Sequence, residues 1–144
     1  MPQPSFKRIL VAVDGSDVSL RAVEHAARLA KDEGASLRAL YVVASPPFEI
    51  EAELADYYDD ARKSAKKWMK DVENAASLHG MTIKTEILVG AISILDAIIG
   101  YAENQSIDLI VTGTRGKTQS AKLLVGSVAA GLVQYANCSV LAVR

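Results

Sequence analysis

Short strand-like runs alternate along the chain with longer stretches whose apolar residues recur at helical spacing. The first run, Ile9-Leu10-Val11-Ala12-Val13, is continuous and stops at Asp14-Gly15. Such a run reads as a strand covered on both faces, then a turn. Ser16 or Asp17 offers a capping oxygen for a helix whose stripe includes Val23, Ala26, Ala27 and Ala30. Gly34 stops it. Leu37–Val43 predicts a second strand, broken by Ser45-Pro46-Pro47. Glu51–His79 predicts one long helix with Leu54, Tyr58, Ala61, Ala65, Trp68 and Val72 on its apolar side. A third strand is expected over Ile83–Val89, ended by Gly90, and a helix over Ala91–Asn104. Ile107–Thr112, Ser127–Ala136 and Ser139–Val143 predict a fourth strand, a last helix and a fifth strand.

Strands that alternate with helices pair in parallel through right-handed crossovers. The pattern therefore implies an α/β fold: a doubly wound, five-stranded parallel sheet with helices on both faces. The 144 residues, half of them hydrophobic, fit a single domain spanning 1–144. Ligands of such folds bind beyond the carboxyl ends of the strands where strand order reverses. Sites are thus expected just after strands one, two and four.

Charge and cysteine narrow the class. A net charge of −1 gives no global attraction to nucleic acid or to anionic lipid. One cysteine, Cys138, cannot form an internal disulfide, and with two histidines it makes no metal-ligand cluster. The N-terminal apolar run is too short for a signal peptide or a membrane span. Together these features predict a soluble cytoplasmic protein with no membrane partner. The long helix begins acidic (Glu51, Glu53, Asp56, Asp59, Asp60) and continues basic (Arg62, Lys63, Lys66, Lys67, Lys70), an order that suits its dipole and a solvated face. His25 and His79 have no partner nucleophile signature, and Cys138 and Trp68 read as core.

Two apolar segments exceed what a monomer's core needs. Ile92, Ile94, Leu95, Ile98, Ile99 and Tyr101 surround much of one helix, which either deep packing or a subunit contact accounts for. Strand 139–143 is short and apolar; at a sheet edge it has unpaired backbone groups that a second copy would cover.

Candidate chemistry centres on Val111-Thr-Gly-Thr-Arg-Gly-Lys-Thr118. Its ending resembles a P-loop, which requires Gly-x4-Gly-Lys-Ser/Thr. Val111 stands where the first glycine belongs, and Gly113 is only three residues before Gly116, so this is no P-loop. Gly126-Ser127 opens the last helix and offers N–H groups, a hydroxyl and the positive dipole end, which together suit an anion. If Gly113–Gly116 and Gly126-Ser127 converge, they hold a polyphosphate, with Arg115 and Lys117 nearby. The alternative is that the glycines serve turns and Ser127 only a cap.

The spacing Gly113-x2-Gly116-x9-Gly126-Ser127 resembles the ATP-binding motif of the universal stress protein family. Arg8–Ser16, Leu40–Val43, Asp108–Gly113, Gly126–Val128 and Cys138–Val143 resemble the family's other conserved segments, with Ser139 where a proline is usual. The resemblance implies strand order 3-2-1-4-5 and a homodimer through strand 139–143. It implies an ATP-binding regulatory protein, a nucleotide-dependent switch with slow or no hydrolysis and an unknown protein partner. Carried over by position, Ala12 and Val42 line the adenine. Asp14, Thr112 and Gly113 lie by the ribose. Gly116, Gly126, Ser127 and Val128 hold the phosphates. Asp14 also meets, through the nucleotide, an accompanying Mg2+ or Mn2+. Two alternatives stand beside this reading: an interaction module that binds no nucleotide, and an adenylating enzyme of the ATP pyrophosphatase type, whose motif Val13–Ser19 matches only in part.

Overall fold

In the computed structural model, residues 5–47, 51–115 and 125–144 are described. Strands β1 (Arg8–Ala12), β2 (Ser36–Ala44), β3 (Lys84–Ala91), β4 (Leu109–Gly113) and β5 (Ser139–Val143) alternate with helices α1 (Asp17–Glu33), α2 (Glu51–Leu78), α3 (Ile94–Asn104) and α4 (Ser127–Tyr135). The strands form one parallel sheet, as the alternating pattern predicts, in the order β3-β2-β1-β4-β5 that the family resemblance implies. Among the described residues, no helix is long and apolar enough to cross a membrane.

The continuous apolar runs are explained by burial on both faces. Ile9, Val11, Leu109 and Val111 face α1 and α2, where they join Val23, Ala26, Ala27, Ala30, Met69 and Val72. Leu10, Leu40 and Ile110 face the other way, against Ile98, Tyr101 and Leu132 of α3 and α4. Alanines at 22, 26, 27 and 30 of α1 are fully buried, and their small side chains let the helix lie close on the sheet. The Ser16 hydroxyl caps α1 by accepting from Ser19 N–H, and Gly34 ends it at φ 69° in the left-handed region. At the other end of the sheet, Asp108 clasps the start of β1: its carboxylate accepts from Lys7 N–H at 2.8 Å and Arg8 N–H at 3.0 Å.

Two boundaries differ from the sequence reading for a clear local reason. Gly90 does not end β3. The pairing jumps from Val43↔Val89 to Ala44↔Ala91, so Gly90, at φ 83°, is the extra residue of a bulge inside the strand. The following helix starts at Ile94 and not at residue 91, because Ser93 caps it by accepting from Asp96 N–H at 3.1 Å. Ile92 consequently lies outside α3 and is 99% exposed, so deep packing does not explain its side chain. The remaining apolar residues of α3 pack against the second core cluster, with Ile98 and Tyr101 buried. Trp68 is only partly buried, though it does pack against the first cluster.

Helices α3 and α4 approach closely at Gly131: a Cβ there would lie 2.5 Å from Leu95 Cδ2, so the leucine would have to shift. Alanine at 131 improves helix propensity by about 1 kcal/mol, but overpacking opposes it by about 1–3 kcal/mol. Gly131→Ala is therefore expected to lower stability in urea unfolding. In a Leu95→Ala background, where the obstructing methyls are gone, the same substitution is expected to be neutral or stabilising.

Candidate functional site

Strand order reverses between β1 and β4. From β1 the chain crosses toward β2, and from β4 toward β5, so the two connections diverge and leave a gap at the strands' carboxyl ends. A cavity of about 460 Å3 occupies that gap. Of the residues singled out from sequence, Ala12, Asp14, Val42, Thr112, Gly113, Gly126, Ser127 and Val128 all line it, and so does Arg115. Gly116 and Lys117 lie outside the described residues, as does part of the segment 44–55 that follows β2.

The β1 side is a tight polar turn. Asp14 Oδ1 accepts from Ser16 N–H at 2.9 Å, folding the carboxylate back on its own loop. Ser19, 5% exposed, donates its hydroxyl to Ser16 O at 2.9 Å and accepts from Asp14 N–H at 3.4 Å. Gly15 has φ 85°, and a Cβ there would meet the Trp68 indole at 3.0 Å. Trp68 thus closes the far side of the turn that presents Asp14. Tyr41, which lines the cavity, meets Trp68 edge-on with ring centroids 4.9 Å apart. Burial above all, then the nearby Tyr57 and Asp14, pushes the Tyr41 phenol above its ordinary pKa, so it is neutral at physiological pH.

The β4 side is tied to α4. Thr112 is buried and its hydroxyl donates to Gly113 O at 3.1 Å. Thr114 N–H donates to Val143 O at 2.7 Å, and Gly126 N–H donates to Thr114 O. Through these bonds the end of β4 fixes where α4 begins. Gly126 is the N-cap residue, in an extended conformation, and as a glycine it brings no side chain of its own to cap the helix. The first turn of α4 therefore brings to the cavity rim backbone N–H groups and the positive end of the helix dipole.

Gly113 has a structural reason of its own. A Cβ there would fall 2.6 Å from Val18 Cγ1, because the first turn of α1 packs directly on the end of β4. Close approach of a ligand is thus not needed to explain this glycine.

The cavity joins two kinds of surface. Ala12, Leu40, Val42, Ile94 and Ile98 give it an apolar wall. Asp14, the phenols of Tyr41 and Tyr57, Thr114, Arg115 and the start of α4 supply polar groups. An arrangement of this kind receives a ligand with a flat apolar part and an anionic part. Tyr41, Tyr57, Ile94 and Ile98 were not among the candidates from sequence. Tyr57 carried a signal: it stands next to Tyr58 but out of phase with the buried stripe of α2, an aromatic with no place in the core. His25 and His79 do not line the cavity, and His25 is exposed. Cys138 is half-buried beside a smaller cavity of about 210 Å3 between the end of α3, β4 and the connection from α4 to β5, and burial raises its thiol pKa. Among the described residues there is no group of three or more His, Cys, Asp or Glu that could hold a metal ion by itself.

A family model described as universal stress protein family matches residues 5–144. The chain belongs to the universal stress protein family. The match spans every residue that lines the main cavity. A universal stress protein of Methanocaldococcus jannaschii is 37% identical over 148 residues, covering 96% of this chain and 82% of the relative. Among solved structures, the universal stress protein UspA from Lactobacillus plantarum superposes with a TM-score of 0.88 at 31% identity, covering 99% of this chain and all of that one. Another universal stress protein, determined in complex with cAMP, is similar at a TM-score of 0.73 and 27% identity, with 98% of each chain covered.

The Val18 contact makes a testable claim about Gly113. Gly113→Ala is expected to destabilise the ligand-free protein by about 1–3 kcal/mol, since a β-branched valine on a helix has little freedom to turn away. Val18→Ala should recover most of that loss in thermal unfolding. A Gly113→Ala protein as stable as the parent would show that the contact is not limiting.

Proposed function

We propose that this chain is an ATP-binding regulatory protein, a switch that holds the nucleotide and hydrolyses it slowly or not at all. The observation that carries the reading is the convergence, on one cavity, of an apolar wall, a carboxylate and a helix N-terminus whose N-cap residue is a glycine. Those are the three chemistries needed for a base, a sugar and a phosphate chain. In this reading Ala12 and Val42 flank the adenine. Asp14, Thr112 and Gly113 lie by the ribose. Gly126, Ser127 and Val128 receive the phosphates, with Gly116 as a further contact outside the described residues. Support also comes from the related structure in complex with cAMP, another adenine nucleotide.

A divalent ion fits this site only together with the nucleotide. Asp14 is the single carboxylate lining the cavity among the described residues, and one carboxylate does not retain Mg2+ on its own. Phosphate oxygens would complete the shell, and the ion would neutralise their charge. A cytoplasmic setting, where Mg-ATP is abundant, suits the reading.

Equilibrium dialysis with Mg-ATP tests it directly. The purified protein is expected to bind, and Gly126→Val is expected to weaken binding about tenfold or more, because a β-branched side chain at the N-cap position crowds the approach of an anionic group to the first turn of α4. No binding by the purified protein at millimolar ATP would overturn the proposal.

We also propose that the protein is a homodimer through β5. That strand lies at the sheet edge with Val140, Leu141 and Ala142 half-buried. On the adjoining helix α4, Val133 is 63% and Tyr135 61% exposed. Pairing two β5 strands would satisfy their outer backbone groups and cover these side chains. Light scattering is expected to give twice the chain mass, and the pair Val133→Glu and Tyr135→Glu to shift it toward one. A parent protein that stays monomeric at high micromolar concentration would overturn the pairing.

A further inference from the structure

Helix α2 reaches the cavity with one side chain and is held in place by two others. Tyr58 lies toward the bulge of β3: its hydroxyl oxygen is 3.4 Å from where a Gly90 Cβ would be. Three turns further on, Trp68 is wedged between the Gly15 backbone and the Tyr41 ring. Tyr57, one residue before Tyr58, points elsewhere. It lines the cavity, is 39% exposed, and meets the Tyr58 ring edge-on with centroids 5.6 Å apart. A ring so placed is an aromatic surface carried on a rigid element, with its orientation set by the neighbouring aromatic.

The apolar lining of the same cavity gives that surface a purpose. Leu40, Val42 and Ile98 belong to the core cluster on the α3 and α4 side of the sheet, whereas Tyr41 and Trp68 pack with the cluster on the α1 and α2 side. The cavity straddles the two. Val42 and Tyr57 line the same cavity, so a planar, apolar ligand part lodged there has an aliphatic wall and an aromatic ring within one pocket.

Building on the nucleotide reading above, we propose that Tyr57 is the residue against which the nucleobase stacks, and that it gives the site its preference for a purine. Every base has a π-face, but the larger purine overlaps a phenol ring more fully than a pyrimidine does. The neutral Tyr41 phenol beside it adds a hydrogen-bonding group to the same wall without adding charge. Because Tyr57 is 39% exposed and belongs to neither core cluster, its core packing contribution is small. Its removal is expected to leave the fold intact.

The test compares the parent protein, Tyr57→Ala and Tyr57→Phe in binding Mg-ATP and Mg-CTP, with thermal unfolding of each ligand-free protein as a control. The single tryptophan supplies a second readout, since Trp68 touches Tyr41 and its fluorescence is expected to change on binding. Tyr57→Ala is expected to weaken ATP by roughly 5- to 100-fold and to narrow the ratio of ATP to CTP affinity, at an unchanged unfolding temperature. Tyr57→Phe, which keeps the ring and loses only the hydroxyl, is expected to bind ATP as the parent does. If Tyr57→Ala binds ATP like the parent, or if Tyr57→Phe loses as much as Tyr57→Ala, the stacking role is wrong while nucleotide binding stands. If the parent itself binds neither nucleotide, the nucleotide reading fails and this proposal with it.

Discussion

The pairing of β1 with β4 is the contact on which the rest of the molecule depends. Ile9, Leu10 and Val11 lie beside Leu109, Ile110 and Val111, and all six are essentially withdrawn from water. Fully buried strands have no polar face, so their register is set by packing on both sides and by backbone bonds alone. Once these two strands are adjacent and parallel, their connections must leave in opposite directions. The gap that results is a property of topology, and the chain fills its rim with whatever follows each strand. Asp14 and Gly113 are near each other for that reason, though they are far apart in sequence.

Glycine placement shows how such a rim is kept both tight and open. Gly15 turns over an indole, Gly113 yields to a valine methyl, and Gly131 lets two helices touch. In each case the absent side chain is replaced by a neighbour already present in the ligand-free protein. These glycines hold the walls of the cavity at their distances from one another. Gly126 differs, because its contribution is the absence of a capping side chain, which leaves the backbone donors of α4 at the cavity rim.

Much of this was legible in the sequence. Continuous apolar runs, Ile9–Val13 before Asp-Gly and Leu109–Val111 before Thr-Gly, marked the central strands and their carboxyl ends, because burial on both faces leaves no alternation to misread. The helix caps at Ser16 and Gly34 were readable from side-chain chemistry. The third strand and the start of α3 were less so. A glycine after a strand ordinarily signals its end, and only the pairing partner reveals that Gly90 is a bulge with Ala91 still in the ladder. Likewise Ile92 fits a helical apolar pattern, but Ser93 captures the cap and leaves it outside. The cavity's polar and glycine residues could be named from their positions after the strands. Tyr41, Tyr57, Ile94 and Ile98 could not, since their presence there depends on how α2 and α3 lie across the sheet, which no local pattern encodes.

The span between β1 and β4 also bears on how the protein is made. Leu109 emerges from the ribosome about a hundred residues after Ile9, and contacts of that separation form slowly because a long loop must close first. Until then β3, β2 and β1 can pair, yet β1 has one flank of backbone groups exposed. The Asp108 carboxylate, which grips the amides of Lys7 and Arg8 just ahead of the pairing, reaches the nascent chain only one residue before β4 itself. It is placed to register the incoming strand as it arrives. The cavity, built from both sides of this junction, is consequently among the last features the newborn chain acquires.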